Sequence, residues 1–354
     1  MPDLADRPLI ALTLGDVAGI GPEVVALAWS DPRLHALARP FVVGDSAVLR
    51  RALALGGDGA PTIEVETITG PESSRPSLGV IPCLHVSGVD GAALAAVAPG
   101  VIDAQAGGAA ASWLVEAIDL ALADRVDAIV TLPLHKESLH RAGVRHPGHT
   151  EILAERCGVA EHAMMLYLPD DATGGGLGVI HATLHVALRQ VFDLLTVDSV
   201  AAKIHLADAA LRSLTDGRPP RIAVAGLNPH AGENGLFGDE EIRVIAPAVA
   251  RARDQGVDVV GPIAADTLFG RAIGGEFDAV VAMYHDQGHV ALKTLGFDRA
   301  VNVTLGLPIV RTSVAHGTAF DIAWRGQGVS TSSLIAAVRV AARIVAGRKV
   351  ATAH

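Results

Sequence analysis

The chain repeats one device from end to end: a short apolar run, a turn containing Gly or Pro, then a stretch with helical spacing. Runs of this kind stand at residues 8–14, 39–44, 62–68, 127–132, 163–168, 178–183, 221–226, 257–262 and 277–284. Most are apolar at nearly every position instead of alternating. That pattern suits strands covered on both faces, as in parallel sheets flanked by helices. Helical spacing predicts helices over 46–55, 109–124, 197–214, 239–255, 266–273 and 330–345, with Pro22 opening one more, where a missing N–H costs least. Residues 70–100, rich in Pro, Gly and Ser, read as irregular or as short edge strands.

This alternation defines an α/β fold class of two α/β/α units, with a cleft between them as the expected ligand site. The expected division is residues 1–147 plus 306–354 for the first unit and 148–305 for the second. At 354 residues each unit is large enough for its own core. Only 3% of residues are aromatic although half are hydrophobic, so Ala, Val, Leu and Ile must fill those cores.

The formal charge of -10 carries no basic block, which argues against nucleic acid and anionic membranes as partners. Cys83 and Cys157 supply neither a disulfide framework nor a CxxC pair. The first residues are too acidic and too briefly apolar for a signal peptide, and no apolar span is long enough to cross a membrane. The reading is a reduced, soluble, cytoplasmic protein.

Chemistry concentrates in residues 277–328. A buried-strand pattern, FDAVVAMY, turns abruptly into His285-Asp286-Gln287-Gly288, at the strand end where α/β proteins hold ligands. Lys293, Asn302 and Arg311 follow, two cations and an amide suited to an anionic small molecule, and His316-Gly317-Thr318-Ala319 closes the stretch. Two other histidines, His185 and His230, also follow predicted strands. With His285 they are either three ligands of a catalytic divalent ion (Zn²⁺, or Co²⁺, Mn²⁺, Mg²⁺) or unrelated loop histidines. Asp286 and Glu233 lie close enough in sequence to orient two of the rings.

Other features have plainer readings. The loop from Gly15 to Gly21 lacks the GxGxxG spacing and reads as a structural turn, and the glycines at 174–176 as a flexible loop tip. Thr150, after Pro147-Gly148-His149, reads as a helix cap, although a helix N-terminus with His149 beside it can also receive an anion. Asp266 reads as the cap of the helix that follows, with a catalytic role the lesser reading. His289, one helical turn beyond His285, serves either the helix surface or the substrate.

These residues together resemble the 4-hydroxythreonine-4-phosphate dehydrogenase family, the PdxA-type enzymes. The resemblance spans GDVAGIGPE at 15–23, LPLHK at 132–136, GHTE at 148–151, TLHVALRQV at 183–191, GLNPHAGE at 226–233, DTLF at 266–269, MYHDQG at 283–288, LGLPIVRTS at 305–313 and HGTA at 316–319. It implies an isocitrate/isopropylmalate dehydrogenase-like fold, a divalent metal on His185, His230 and His285, and a homodimer with shared active sites. It also implies substrate contacts from His149, Thr150, Lys293, Asn302 and Arg311, and NAD or NADP near His316, Gly317 and Thr318. His289, Val17 after Asp16 and the run AFDIAWRG depart from the biosynthetic pattern. They look more like the branch that oxidises 4-phospho-D-threonate or 4-phospho-D-erythronate; a further branch oxidises cis-dihydrodiols of terephthalate.

The reaction so implied is NAD-dependent oxidation of a secondary alcohol beta to a carboxylate, followed by decarboxylation. Lys293 would stabilise the enolate, and Asp266 or His149 would be the general base. Two other classes use a similar constellation: a metal-dependent hydrolase, which needs no NAD, and a two-domain binding protein, which turns nothing over.

Overall fold

A computed structural model describes residues 6–57, 61–146, 148–169, 176–296 and 298–352. Pro147 and the loop-tip glycines Gly174 and Gly175 lie outside them. Its strands, in chain order, are β1 (Leu9–Thr13), β2 (Arg39–Gly44), β3 (Glu64–Ile68), β4 (Val80–His85), β5 (Ala128–Thr131), β6 (Ala163–Pro169), β7 (Gly176–His181), β8 (Ile222–Ala225), β9 (Val259–Ile263), β10 (Ala279–Ala282), β11 (Val301–Leu305) and β12 (Arg311–Val314). The chain divides into two compact units, Met1–Ala160 with Leu307–Val345, and Glu161–Gly306 with Ala346–His354.

In the first unit the strand order is β3-β4-β2-β1-β5-β12, parallel throughout. Helices Gly21–Trp29, Ser46–Leu53 and Ala104–Leu122, with the helix Ser332–Thr352 up to Val345, belong to this layered pattern. Ile10, Ala11 and Leu12 have no exposed surface, as a strand covered on both faces requires. The long helix starts where the Asp103 carboxylate accepts from the Ala106 N–H at 2.9 Å, and it buries Trp113, Leu114 and Ile118. Each such side chain contributes about 1.5–3 kcal/mol on burial.

Strand β4 corrects the expectation for residues 70–100. It is no edge strand: it lies between β3 and β2, with Cys83 fully buried. Pro82, opposite Glu66, supplied the misleading signal, because proline is rare inside sheets. The helix His149–Cys157, expected in the second unit, groups with the first. There Arg156 makes a two-pronged pair with Asp119 of the long helix at 2.6 Å.

The second unit has the order β11-β6-β7-β10-β8-β9. Strand β6 runs antiparallel to both neighbours, and β7, β10, β8 and β9 are parallel. The parallel register sets Ala282 beside His181, so the chain segments leaving β7 and β10 emerge side by side. The first carries His185 and the second His285. No helix among the described residues is long and apolar enough to cross a membrane.

Candidate active site

The second unit gathers imidazoles. His285 opens the helix His285–Gly296, so His289 falls one turn later on the same face. The rings of His285 and His289 stack at 3.8 Å, 8° from parallel, and His185 lies 5.6 Å from His285. His181, the last residue of β7, completes the group: its Nε2 is 3.1 Å from His289 Nδ1. His181 and His289 are buried, so His289 belongs to the core of this cluster and not to a helix surface. Burial, with the neighbouring imidazoles, lowers His181 to about 3, and burial with His285 and Lys293 lowers His289 to about 4. Both rings are neutral at neutral pH, one donating and the other accepting. Gly288 makes room for this, since a Cβ there would lie 2.5 Å from His181 Nε2.

Gln287 ties the sheet ends together. Its carbonyl accepts from Met283 N at 2.6 Å and its amide donates to Gly226 O at 2.7 Å. Beyond Gly226 the chain enters a left-handed turn: His230, Ala231, Gly232, Glu233 and Asn234 all have φ between 44° and 78°. Such a conformation costs about 1–2 kcal/mol per non-Gly residue and must be held from outside. Glu241, buried, is one such hold: it accepts from Leu227 N and Asn228 N, both at 2.7 Å, and from the Asn228 amide at 3.0 Å.

His285 Nδ1 is 2.7 Å from Asp286 and His230 Nδ1 is 3.3 Å from Glu233, the two carboxylates expected to orient those rings. His185 and His285 therefore fit a shared ion in donor chemistry and separation. His230 is not gathered with them, and no group of three or more metal-ligating side chains among the described residues is arranged to hold one. The donor set fits a divalent metal through two of its three expected ligands.

Lys293, half-buried, lies two turns beyond His285 on the same helix. Asn302 is on β11, and its side-chain oxygen is buried without a hydrogen-bond partner. Asp266 is exposed at the second position of the helix Ala265–Ile273, whose N-cap is Ala264 with no side-chain cap, so the capping expectation fails.

The first unit carries the anion-binding features. Arg311, 2% exposed at the start of β12, donates to the Thr131 hydroxyl at 2.6 Å at the end of β5. Burial brings its guanidinium down to about 9, still charged at neutral pH. His149 lies near it; burial and the Arg311 charge push its imidazole well below the ordinary range. The helix His149–Cys157 starts after an extended Gly148 with no side-chain cap, so Thr150 does not cap it, and its first N–H groups take no bond from a capping side chain. In the turn after β12, His316 Nε2 is buried without a hydrogen-bond partner, and no heavy atom lies within 4 Å of a Cβ built on Gly317. An orphaned buried nitrogen beside open space can receive a polar group from outside the chain.

The loop from Gly15 to Gly21 does not cradle phosphate. Ala18 N donates to the Asp16 carboxylate at 2.9 Å, Gly19 N to Asp16 O at 3.0 Å, and Ile20 N to Thr318 O at 3.0 Å. These amides, with that of Asp16 donating to Pro133 O at 2.9 Å, are spent within the protein.

The family described as "Pyridoxal phosphate biosynthetic protein PdxA" matches residues 36–341. A D-threonate 4-phosphate dehydrogenase of Pectobacterium atrosepticum is 46% identical over 327 residues, 92% of this chain and 96% of its own. A 4-hydroxythreonine-4-phosphate dehydrogenase of Geobacter metallireducens is 45% identical over 338 residues, 96% of each chain. A crystal structure of 4-hydroxythreonine-4-phosphate dehydrogenase from Klebsiella pneumoniae superposes with a TM-score of 0.83 at 46% identity, covering 96% of this chain and all of the other. Fold and relatives together define an oxidoreductase built on mostly parallel α/β sheets. Within that class, the chain belongs to the PdxA family.

Proposed function

We propose that the protein oxidises a phosphorylated 3-hydroxy acid, either 4-phosphohydroxy-L-threonine or 4-phospho-D-threonate or -erythronate, with NAD(P)⁺ and a divalent metal, and that the product decarboxylates. The observation carrying this reading is the buried, charged Arg311 beside a neutral His149 and an uncapped helix N-terminus. A planar guanidinium presents paired N–H donors that match phosphate or carboxylate, and burial strengthens such a charge-assisted pair.

When bound, NAD(P)⁺ would accept the hydride near His316, Gly317 and Thr318, and the metal, on His185 and His285 and on a His230 that this structure leaves apart from them, would supply Lewis acidity. The chain's own residues do the rest. Arg311, Thr150 and the helix amides grip the anionic ends of the substrate. His149, held neutral by its burial, takes the alcohol proton as hydride leaves the same carbon. Asp266, exposed, is the lesser base. The β-keto acid then loses CO₂; the C–C electron pair becomes an enolate, stabilised by the Lys293 ammonium and protonated to the ketone. Asn302 offers its orphaned oxygen to a substrate hydroxyl.

The active form is proposed to be a homodimer with shared sites. The helix Leu188–Leu194 supports this: Leu188, Phe192 and Leu194 are exposed a few residues from His185, an apolar surface that a second copy would cover. Reduction of NAD⁺ or NADP⁺ is followed with the two threonine-type acids, the erythronate and a terephthalate cis-dihydrodiol, with and without chelator. Chelator-sensitive reduction with a phosphorylated acid supports the reading. Turnover of the dihydrodiol alone, or hydrolysis without nucleotide, overturns it.

A further inference from the structure

The glycine loop after β1 has a task that the reaction leaves unexplained. Four contacts join residues 17–23 to residues 318–326 in the first unit. Ile20 N donates to Thr318 O at 3.0 Å, and the Trp324 indole N–H donates to Val17 O at 2.8 Å. The Glu23 carboxylate, 2% exposed, accepts from the backbone N–H of Trp324 with one oxygen and from that of Gly326, at 3.0 Å, with the other. Approach is so close that a Cβ on Gly19 would lie 2.7 Å from Thr318 O, which only glycine permits.

The segment so held is strained. Ala319 and Trp324 have φ of +46° and +61°, a region non-Gly residues enter only when the surroundings impose it. Trp324 is further clamped by the Arg51 guanidinium, 4.0 Å over its ring, and Arg51 donates to Ala95 O and Val97 O at 3.0 and 2.8 Å. A buried carboxylate normally answers a cation, yet Glu23 accepts from two backbone amides of one loop. That arrangement fixes a backbone conformation.

We propose that Glu23 is a positioning residue: through Trp324 and Gly326 it seats residues 316–326 on the glycine loop and thereby sets the turn His316–Thr318. The consequence for cofactor affinity rests on the reading that this turn receives the nucleotide. In this proposal Glu23 contacts the backbone of the loop and not a ligand. It acts through the loop, and the motif GDVAGIGPE is a seat for that loop instead of a phosphate cradle.

Three variants of the full-length protein test this: Glu23→Gln, Trp324→Phe and His316→Ala. Backbone hydrogen exchange over residues 316–326 and NAD⁺ affinity by calorimetry are measured without substrate, then KM for NAD⁺ and kcat. In Glu23→Gln one of the two loop amides faces an NH₂ group, so exchange over 319–326 accelerates and NAD⁺ binds about tenfold more weakly, with kcat at saturating NAD⁺ within about twofold. Trp324→Phe, which keeps the carboxylate pair, shifts both readouts the same way and less. Unchanged exchange in Glu23→Gln overturns the proposal; should that variant not fold, Glu23→Asp, whose carboxylate is one methylene short of the two amides, decides in its place. Unchanged NAD⁺ affinity in His316→Ala overturns the nucleotide placement alone, and the exchange data still decide whether Glu23 holds the loop.

Discussion

Replacing His289 with Leu tests the imidazole cluster through its acid sensitivity. In the folded protein His181 and His289 are lowered to about 3 and about 4, from an ordinary value of 6.5, by burial and by neighbouring imidazoles. Between those values the unfolded chain binds more protons than the folded one. Stability is therefore full above 6.5 and is lost as pH falls toward the depressed values. At about pH 5 both native rings are still neutral, while an unfolded imidazole is protonated with a gain of about 1.5 × 1.36, or about 2 kcal/mol. Two rings together cost about 4 kcal/mol on going from about pH 8 to pH 5, a large share of an ordinary folding free energy. His289→Leu keeps a buried, similarly sized group but leaves His181 Nε2 without its partner, so stability near pH 8 falls by about 1–3 kcal/mol. Its loss between the two pH values shrinks by about 2 kcal/mol relative to the parent, because one titration is gone. Urea unfolding at both pH values, with chelator present because a metal on His285 would compete with protons, gives the two differences. Equal losses in parent and variant would refute the claim that His289 is held neutral by its surroundings.

Three further outcomes follow from the same geometry. His230→Ala and His285→Ala each lose divalent metal, measured by elemental analysis, together with turnover; metal retained in His230→Ala would leave the ion to His185 and His285. Arg311→Lys keeps a charge but loses the fork, so KM for the acid rises about tenfold or more while KM for NAD⁺ holds; equal effects on both would remove Arg311 from substrate binding. Trp29→Phe costs about 1–2 kcal/mol more than Trp113→Phe in thermal unfolding, because the Trp29 N–H serves Ser77 O and Val80 O at 2.8 and 2.9 Å, whereas that of Trp113 is buried with no partner.

Much of the fold was legible because parallel strands buried on both faces leave dense apolar runs. β1, β2, β5, β7, β8 and β10 all stand where such runs do. Strand β4 was hidden because Pro82 and the surrounding Gly and Ser mark a loop by local chemistry, while tertiary pairing with β2 and β3 makes it a strand. The division after residue 160 was illegible for a related reason. The turn before the helix His149–Cys157 looks like a boundary, and only the contact between Arg156 and Asp119 reveals which unit the helix joins.

The candidate site divides along the same line. His185 and His285 could be foreseen because each follows a strand, and adjacent parallel strands deliver their following loops to one edge. His181 gave no such sign, since it ends an apolar run where a lone histidine reads as core. Its role depends on His289, more than a hundred residues away, and on Gly288 leaving space for the ring. Glu241 was equally silent: a glutamate in a helical pattern reads as surface until the left-handed turn of His230 is seen to lean on it. Glu23 lies inside the motif GDVAGIGPE, yet its task is not legible there, because its partners are backbone amides of a loop some 300 residues later, and a backbone N–H leaves no mark on the sequence. Positions that meet side chains of distinctive type can be read from a sequence. Positions that hold backbone become visible only when the chain is folded.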